Sequence, residues 1–284
     1  MGSFATYESA RARLLSIAYR MLGSASDAED VVQEAWFRWR EADEAAVRDP
    51  TAWLSATVCR ICLDRLKSLR RQREAYPGPW LPEPVVTEQP LEREAISLAL
   101  LVVLETLTPV ERAVFLLRQV FDYGHPEIAR TLDMTEPAVR QAFHRAKERV
   151  AERRPRFAPS DEEHARLLRA FGGALVQGDV VGLEELLAAD ATLWADGGGR
   201  APAAAREAIH GREAIARHVL AIRAKIGAAA EQTFDVRPIN GWPALVGRSR
   251  GQVNVVLTIE TDGRQIVALR NVANPDKLRL ARVN

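Results

Sequence analysis

The sequence predicts a multidomain protein: two all-α segments, the second a helix-turn-helix, followed by an α+β domain. Three observations lead there. Apolar residues recur at helical spacing from residue 4 to 75 and again from Leu107 to Val150. Between these stretches, residues 76–90 (YPGPWLPEPVVTEQP) hold five prolines and a glycine, which no helix interior accommodates. Beyond residue 160, helical patterns give way to strand-like ones: TFDVRPI, ALVGRSR, GQVNVVLTIE and RQIVALRNVA. The last pair is joined by Thr261-Asp262-Gly263, an Asp-Gly hairpin signal. The expected boundaries are 1–75, a linker at 76–90, 91–156 and 160–284.

Bulk properties narrow the classes of function. With 39 Lys and Arg against 38 Asp and Glu, no global field draws the chain to nucleic acid, so any such site is a local stripe. No apolar run approaches the ~18 residues of a membrane span, and the N-terminus carries no signal-peptide pattern. A cytoplasmic protein without membrane partners is expected. Cys59 and Cys62 form a CxxC inside a helical pattern with no second ligand pair, and read as small buried side chains. Neither metal nor cofactor is expected.

The first helix turns Leu14, Leu15, Ala18, Tyr19 and Leu22 inward and ends at Gly23. Ser26-Asp27-Ala28-Glu29 reads as a capping box opening DAEDVVQEAWFRWRE. Val31, Val32, Ala35, Trp36 and Trp39 cover its inner side, while Asp30, Gln33, Glu34 and Glu41 lie opposite with Phe37 among them. An aromatic on an acidic face suits a partner with a basic surface and an apolar socket. Packing beneath a neighbouring loop is the alternative. Asp49-Pro50 caps the next helix, on which Trp53, Thr57, Arg60, Asp64, Lys67 and Arg71 form one stripe, with Leu54, Val58, Ile61 and Leu69 toward the interior. A ring leading a mostly basic stripe suits single-stranded nucleic acid. A solvated helix end with Trp53 in the core is the alternative. In the linker, Trp80 and Leu81 are expected to dock, since a solvated spacer has no need of them.

A helix from Leu91 to Glu105 leads into LTPVERAVFLLRQVFDYGHPEIARTLDMTEPAVRQAFHRAKERV. Thr108-Pro109-Val110-Glu111 is a capping box with proline at the first helical position, and Val110, Val114, Leu117 and Phe121 follow at helical spacing. PEIARTL is a short second helix stopping at Asp133-Met134, and Thr135 caps the third. The third helix has two faces. Val139, Ala142, Phe143, Ala146 and Val150 form one stripe; Glu136, Arg140, His144 and Lys147 line the other, flanked by Pro137, Gln141 and Glu148. This is a helix-turn-helix pattern. Arg140 and Gln141 have side chains that can make bidentate contacts to guanine and adenine edges, and Arg145 and Lys147 suit phosphates. An ordinary mixed-charge surface helix is the alternative.

In order, spacing and residue type, DAEDVVQEAWFRW, the Trp53-led helix, the linker and the 107–150 unit resemble regions two and four of extracytoplasmic-function sigma factors, over about the first 155 residues. The resemblance implies binding of core RNA polymerase through Asp30, Gln33, Glu34 and Phe37. It also implies recognition of promoter DNA: the melted minus-ten element by Trp53, Thr57, Arg60, Lys67, Arg71 and the loop before them, and the minus-thirty-five duplex by residues 135–149. Many members carry asparagine where this chain has Arg60, which leaves the minus-ten base preference open.

In the C-terminal part, Ser160-Asp161-Glu162-Glu163 caps a helix with Leu167, Leu168, Phe171 and Leu175 inward, ending at Gly178-Asp179. Leu183, Leu186 and Leu187 mark a shorter helix, ATLWADGGGR a strand running into a glycine triplet, and Ile215, Val219, Ile222 and Ile226 a third helix. The strands then form an antiparallel sheet, with Val253, Val255, Leu257 and Ile259 alternating as in a half-buried strand. Residues 160–275 resemble SnoaL-like domains, whose helices and curved sheet enclose a conical pocket. Some relatives place an Asp/His acid–base pair there. Here Asp196 stands beside the glycines, and His210 and His218 read as surface-helix residues, so no pair forms and no enzyme is expected.

Sigma factors with this extension form a group whose three signatures are present: WLPEP (Trp80, Leu81, Pro82, Glu83, Pro84), DGGGR (Asp196, Gly197, Gly198, Gly199, Arg200) and NPDKL (Asn274, Pro275, Asp276, Lys277, Leu278). DGGGR departs from the commoner DGGGK but keeps the charge. The resemblance implies that the C-terminal domain holds the linker and regulates the sigma regions, with Glu83 pairing with Arg200 or Lys277 and the glycines allowing close backbone approach. A small-molecule ligand in the pocket is a further candidate partner. Two rival readings are a ligand-responsive helix-turn-helix regulator working without polymerase, and a SnoaL-like enzyme fused to a DNA-binding region.

Overall fold

The structure, a computed structural model, describes residues 3–86, 97–153, 160–201, 204–227 and 232–279. It divides into two compact units: Met1–Ala75 with Leu101–Arg154, and Tyr76–Leu100 with Pro155–Asn284. The linker residues 76–86 thus group with the C-terminal part. Linker residues 87–90, the expected helix start at Leu91, the 154–156 boundary, and the side chains of Arg71 and Ile226 lie outside the described residues.

The first unit is all helical. α1 (Ser3–Leu22), α2 (Ala25–Glu41) and α3 (Pro50–Glu74) bury Leu14, Ile17, Val31, Val32, Trp39, Leu54, Val58 and Ile61. Full burial of each such side chain contributes about 1.5–3 kcal/mol. α2 begins earlier than the sequence pattern indicates: Ser24 Oγ accepts from Asp27 N at 3.1 Å, making Ser24 the cap and placing Ser26 inside the first turn. Asp49 caps α3 through Ala52 N at 3.0 Å, with Pro50 in the first turn. Cys59 and Cys62 are fully buried, and burial pushes both thiols up, Cys59 to about 12.

α4 is described over Leu98–Leu104, and α5 (Pro109–Gln119), α6 (His125–Leu132) and α7 (Glu136–Arg153) form the helix-turn-helix unit. The Thr108 capping box is reciprocal: Thr108 Oγ1 accepts from Glu111 N at 3.3 Å, and Glu111 Oε2 accepts from Thr108 N at 3.0 Å. Val114, Leu117 and Phe121 are buried, but Val110 in the first turn is 38% exposed. α6 ends in left-handed backbone at Asp133 (φ 55°), which turns the chain into α7.

One buried polar cluster holds this unit together. Arg112 of α5, 2% exposed, donates from Nε and Nη2 to the Arg20 carbonyl at 3.1 and 2.9 Å and pairs with Glu105 at 2.5 Å. Arg73 of α3 also pairs with Glu105 and donates to the Leu22 carbonyl at 2.7 Å. The last carbonyls of α1, the negative end of its dipole, are therefore satisfied by two cations from α3 and α5. Burial draws the Arg112 guanidinium down to about 9, which still leaves it charged at neutral pH.

In the second unit, α8 (Asp161–Gln177), α9 (Val180–Leu186) and α10 (Arg212–Gly227) accompany a six-stranded open sheet. Its strands are β1 (Leu187–Asp196), β2 (Ile209–His210), β3 (Gln232–Ile239), β4 (Trp242–Ser249), β5 (Gln252–Thr261) and β6 (Ile266–Val272), in spatial order β2-β1-β6-β5-β4-β3. The sheet is mixed rather than antiparallel throughout, because β1 lies parallel to β6. These two are separated by the whole meander, so no tight turn dictates their relative direction. Leu187 opens β1 instead of closing α9. Two-residue β2 is too short to show a period. β5, between β6 and β4, is buried on both faces along much of its length, with Val256 and Thr258 covered as well as Leu257 and Ile259. Leu167, Phe171, Ile215, Leu245, Leu257 and Leu269 join helices and sheet in one core.

Candidate functional site

Three sets of candidate residues can be placed. On α2, Asp30, Gln33 and Phe37 are exposed and Glu34 is half-exposed, opposite the buried Val31, Val32, Ala35 and Trp39. Trp36 is only half-buried, with its ring against Phe4 and Tyr7 at 5.7 and 4.8 Å. Phe37 is 44% exposed, with the Arg40 guanidinium over its ring at 5.4 Å. It is not sealed beneath a loop. Asp30 lies 3.5 Å from Arg65, and Glu34 2.7 Å from Arg38. Both are surface pairs, which a partner can exchange at little cost.

The α3 stripe is less continuous than helical spacing indicates. Arg60 and Lys67 are exposed, Lys67 pairing with Asp64 at 2.9 Å. Trp53 is half-buried, tilted against Trp39 at 5.3 Å. Thr57 is buried, and its hydroxyl donates to the Trp53 carbonyl of its own helix at 2.9 Å.

On α7 the two faces separate as the sequence indicates. Val139, Ala146 and Val150 are buried, and Phe143 packs on Phe115 and His125 at 6.4 and 5.8 Å. Pro137, Arg140, Gln141, His144, Arg145 and Lys147 are exposed, with Glu136 half-exposed. Glu136 holds Arg140 at 2.5 Å, and Glu148 lies 3.6 Å from His144. Ala138 N reaches Thr135 Oγ1 at 3.4 Å at the start of the helix. Arginine held at the N-terminal end of the second helix of such a unit is where base edges are read. Arg140→Ala is expected to weaken binding to a cognate duplex by about 1–3 kcal/mol with loss of base preference. Fluorescence anisotropy on cognate and scrambled duplexes checks this, since equal losses on both would make Arg140 a phosphate contact.

The third set converges on Asp196. This carboxylate, fully buried at the end of β1, accepts four hydrogen bonds. Oδ1 takes Tyr76 Oη at 2.6 Å and Gly198 N at 3.1 Å; Oδ2 takes Leu81 N at 2.8 Å and Lys277 Nζ at 2.6 Å. Burial, then the bond to Asp196, pushes the Tyr76 hydroxyl above the ordinary phenol value and keeps it a donor. Lys277 also donates to the Leu81 carbonyl at 2.6 Å and lies over the Trp80 and Tyr76 rings at 4.2 and 4.9 Å. Asn274 Nδ2 donates to Tyr76 Oη at 2.8 Å, and Leu81 is 2% exposed. Further on, Val85 N donates to Asn240 Oδ1 at 3.1 Å and Asn240 N to the Val85 carbonyl at 2.8 Å, beside a bridge from Val86 to Ile239. The linker thereby joins the outer edge of β3.

WLPEP, DGGGR and NPDKL are thus brought together: Lys277 pairs with Asp196 at 2.6 Å and Arg200 with Asp276 at 3.1 Å. Pro82 and Pro84 are buried and Glu83 is half-buried. Gly198 has φ 58°, and a Cβ there would fall 2.3 Å from the Asn274 amide nitrogen, so the glycine makes room for the Asn274 side chain. Gly197 has its own constraint, a Cβ falling 2.5 Å from that of Ala204, and Gly199 sits against Pro77. Leu278 is buried and Pro275 exposed. The hub residues Tyr76 and Asn240 have no signature in the sequence.

The histidines do not assemble with Asp196. His210 lies on β2 rather than a helix, its Nδ1 3.2 Å from Thr192 Oγ1. His218 is partly buried on α10, and burial lowers its pKa.

Residues 6–72 match the family described as Sigma-70 region 2, and residues 97–150 the family described as Sigma-70, region 4. Over 289 aligned residues the chain is 35% identical to the ECF RNA polymerase sigma factor SigJ of Mycobacterium tuberculosis, covering 95% of this chain and 91% of that protein. The crystal structure of the M. tuberculosis extracytoplasmic function sigma factor SigJ superposes with a TM-score of 0.76 at 33% identity, covering 97% of this chain and 98% of that one. The ECF RNA polymerase sigma factor SigG of the same organism is 31% identical over 226 residues, 68% of this chain and 61% of its own length.

Proposed function

This chain belongs to the extracytoplasmic-function (ECF) RNA polymerase sigma factors, and we propose that it is controlled from within, by a C-terminal domain gripping the segment between its two sigma regions. As a sigma factor it joins core RNA polymerase and directs it to promoters. In this reading the α2 face of Asp30, Gln33, Glu34 and Phe37 meets polymerase. Trp53, Arg60, Lys67 and Arg71 follow the melted minus-ten strand, and the α7 face reads the minus-thirty-five duplex. The protein works in the cytoplasm, where its polymerase is. No helix among the described residues is long and apolar enough to cross a membrane.

The observation that carries the regulatory part is the buried Asp196 carboxylate, whose donors come from the linker (Tyr76, Leu81) and from the C-terminal domain (Gly198, Lys277). A linker so held limits the spacings that regions two and four can adopt, and polymerase and promoter both require a definite spacing. The C-terminal domain is a regulator and not an enzyme in this reading: its best-placed acid is consumed by the linker, and no histidine faces it. Transcription in vitro with purified core enzyme tests this by comparing the full chain with one ending near Pro159. A change in promoter output of severalfold is expected, and equal output from both would remove the regulatory role. Charge reversal of Asp30 and Glu34 together is expected to abolish capture of the chain by core polymerase. Undiminished capture would move the polymerase contact elsewhere.

A further inference from the structure

The wet side of α3 is a narrow stripe. At about 100° per residue, Arg60, Asp64 and Lys67 stand within about 40° of the bearing of Trp53 around the helix. Most polar groups on or beside this stripe are engaged within the protein. Thr57 donates to the Trp53 carbonyl at 2.9 Å, and Lys67 pairs with Asp64 at 2.9 Å. Arg65 pairs with Asp27 at 3.1 Å, and Arg73 with Glu105. Arg60 differs. It is exposed, and neither an ion pair nor a hydrogen bond joins its side chain to any described residue. Asp64, one turn further on, is the carboxylate spaced to hold it, and Lys67 already holds that carboxylate. Among the described cations of α3, Arg60 therefore presents the open fork.

A guanidinium differs from an ammonium in offering parallel donors in one plane, which suits a pair of adjacent acceptors. Guanine carries such a pair, O6 and N7, on the edge that faces the major groove. Adenine sets a donor beside N7, cytosine offers a donor there, and thymine offers one acceptor beside a methyl group. The guanine edge is open in a duplex and in a separated strand alike. Arg60 also has the placement for such a contact. It stands seven residues from Trp53, about 10 Å along the helix axis, so a base stacked on the ring leaves a neighbouring base before the fork. The far side of the helix is anchored by the buried Leu54, Val58 and Ile61, which holds the backbone beneath Arg60 in one position.

From the open fork, its place beside the Trp53 ring and the engagement of the groups around it, we infer that Arg60 selects guanine at one position of the minus-ten element. The guanidinium donates to O6 and N7 of that base, while Lys67, a compact charge further along the stripe, serves the strand's phosphates without regard to sequence. Arg60 is then the specificity residue of α3, as Arg140 is of α7. This rests on the reading above that the α3 stripe meets the minus-ten strand.

The test uses holoenzyme assembled from core polymerase and the full chain. It selects DNA from a pool randomised across the span of both promoter elements, and the retained DNA is sequenced. One minus-ten position is expected to carry guanine about tenfold or more over the other bases. Arg60→Ala, a change at an exposed helical position, should flatten that position and leave the rest of the selected sequence as it was. Arg60→Gln should move the preference there to adenine, whose N6 and N7 suit a carboxamide. A role in merely holding the helix would produce no such switch. Absence of any guanine position that depends on Arg60 overturns the inference. So does retention that falls equally for every sequence with Arg60→Ala, which would make Arg60 a phosphate contact. Lys67→Glu separates these failures from failure of the underlying reading. If that charge reversal weakens retention severalfold while Arg60→Ala alters no position, the guanine assignment alone is lost. If both variants select and retain DNA as wild type does, α3 does not meet the element at all.

Discussion

Asparagine at position 196 is expected to free the linker. The substitution keeps the shape of the side chain but replaces one acceptor oxygen by a donor and removes the charge facing Lys277. Four donors now converge on the Asp196 carboxylate, and Lys277 is itself buried. An amide cannot accept all four, and its own N–H₂ would face one of the donor pairs. Breaking a buried ion pair by removing one partner costs about 3–5 kcal/mol, which corresponds to roughly two to three powers of ten or more in the linker's opening constant. Hydrogen exchange reads this directly. The Leu81 amide, bonded to Asp196 itself, should lose its protection, while Val85, held separately by Asn240, should change less. If Leu81 keeps its protection in a well-folded Asp196→Asn chain, the grip lies in the Trp80 and Leu81 packing and not in the carboxylate.

The other large effect is expected at Arg112. Alanine there leaves the Arg20 carbonyl without the two bonds it receives and Glu105 with Arg73 as its remaining partner in that cluster. Since Arg112 is 2% exposed, water does not readily replace it, and a loss of about 3–5 kcal/mol in the stability of the helical unit follows. A urea titration followed by far-ultraviolet circular dichroism measures it. Arg112→Lys should recover only part of the loss, because a single ammonium cannot fork between a carbonyl and a carboxylate as the planar guanidinium does. A shift below about 1 kcal/mol for the alanine variant would show that the cluster is neutral to folding, as some buried ion pairs are.

The helical parts were the most legible in the sequence because their signals are local. The Thr108-Pro109-Val110-Glu111 capping box and the separation of the two α7 faces each depend on residues within a few turns, and both appear in the structure. The exposed Phe37 among acids on α2 was visible for the same reason. Where local signals compete, the reading slipped, by two residues at the start of α2. Ser24 and Ser26 both offer capping hydroxyls, and the earlier one takes the Asp27 amide. Thr57 fits the α3 stripe by spacing alone, yet is buried, since periodicity does not reveal how wide the covered face becomes once a neighbouring helix arrives.

In the C-terminal domain, the meander of β3 to β6 could be read from alternation and the Asp-Gly turn, but the parallel β1–β6 pairing could not. That pairing joins strands some 70 residues apart. The three linker signatures could be named from the sequence, but not the pairings among them. Asp196 meets Lys277 and Tyr76 only after β1 has docked beside β6 and the linker has crossed the sheet edge.

By itself, the sequence determined the helices, their wet and dry faces and the position of the linker, because amphipathic period, caps and proline act over a few residues; the class of protein came from the resemblance of its motifs to a known family. The tertiary structure alone decided which charges are buried together: Arg112 with Glu105 and Asp196 with Lys277. An ionisable side chain looks the same in a sequence whether it ends in water or in a core. Only the packing of distant segments removes the solvent and makes a partner obligatory.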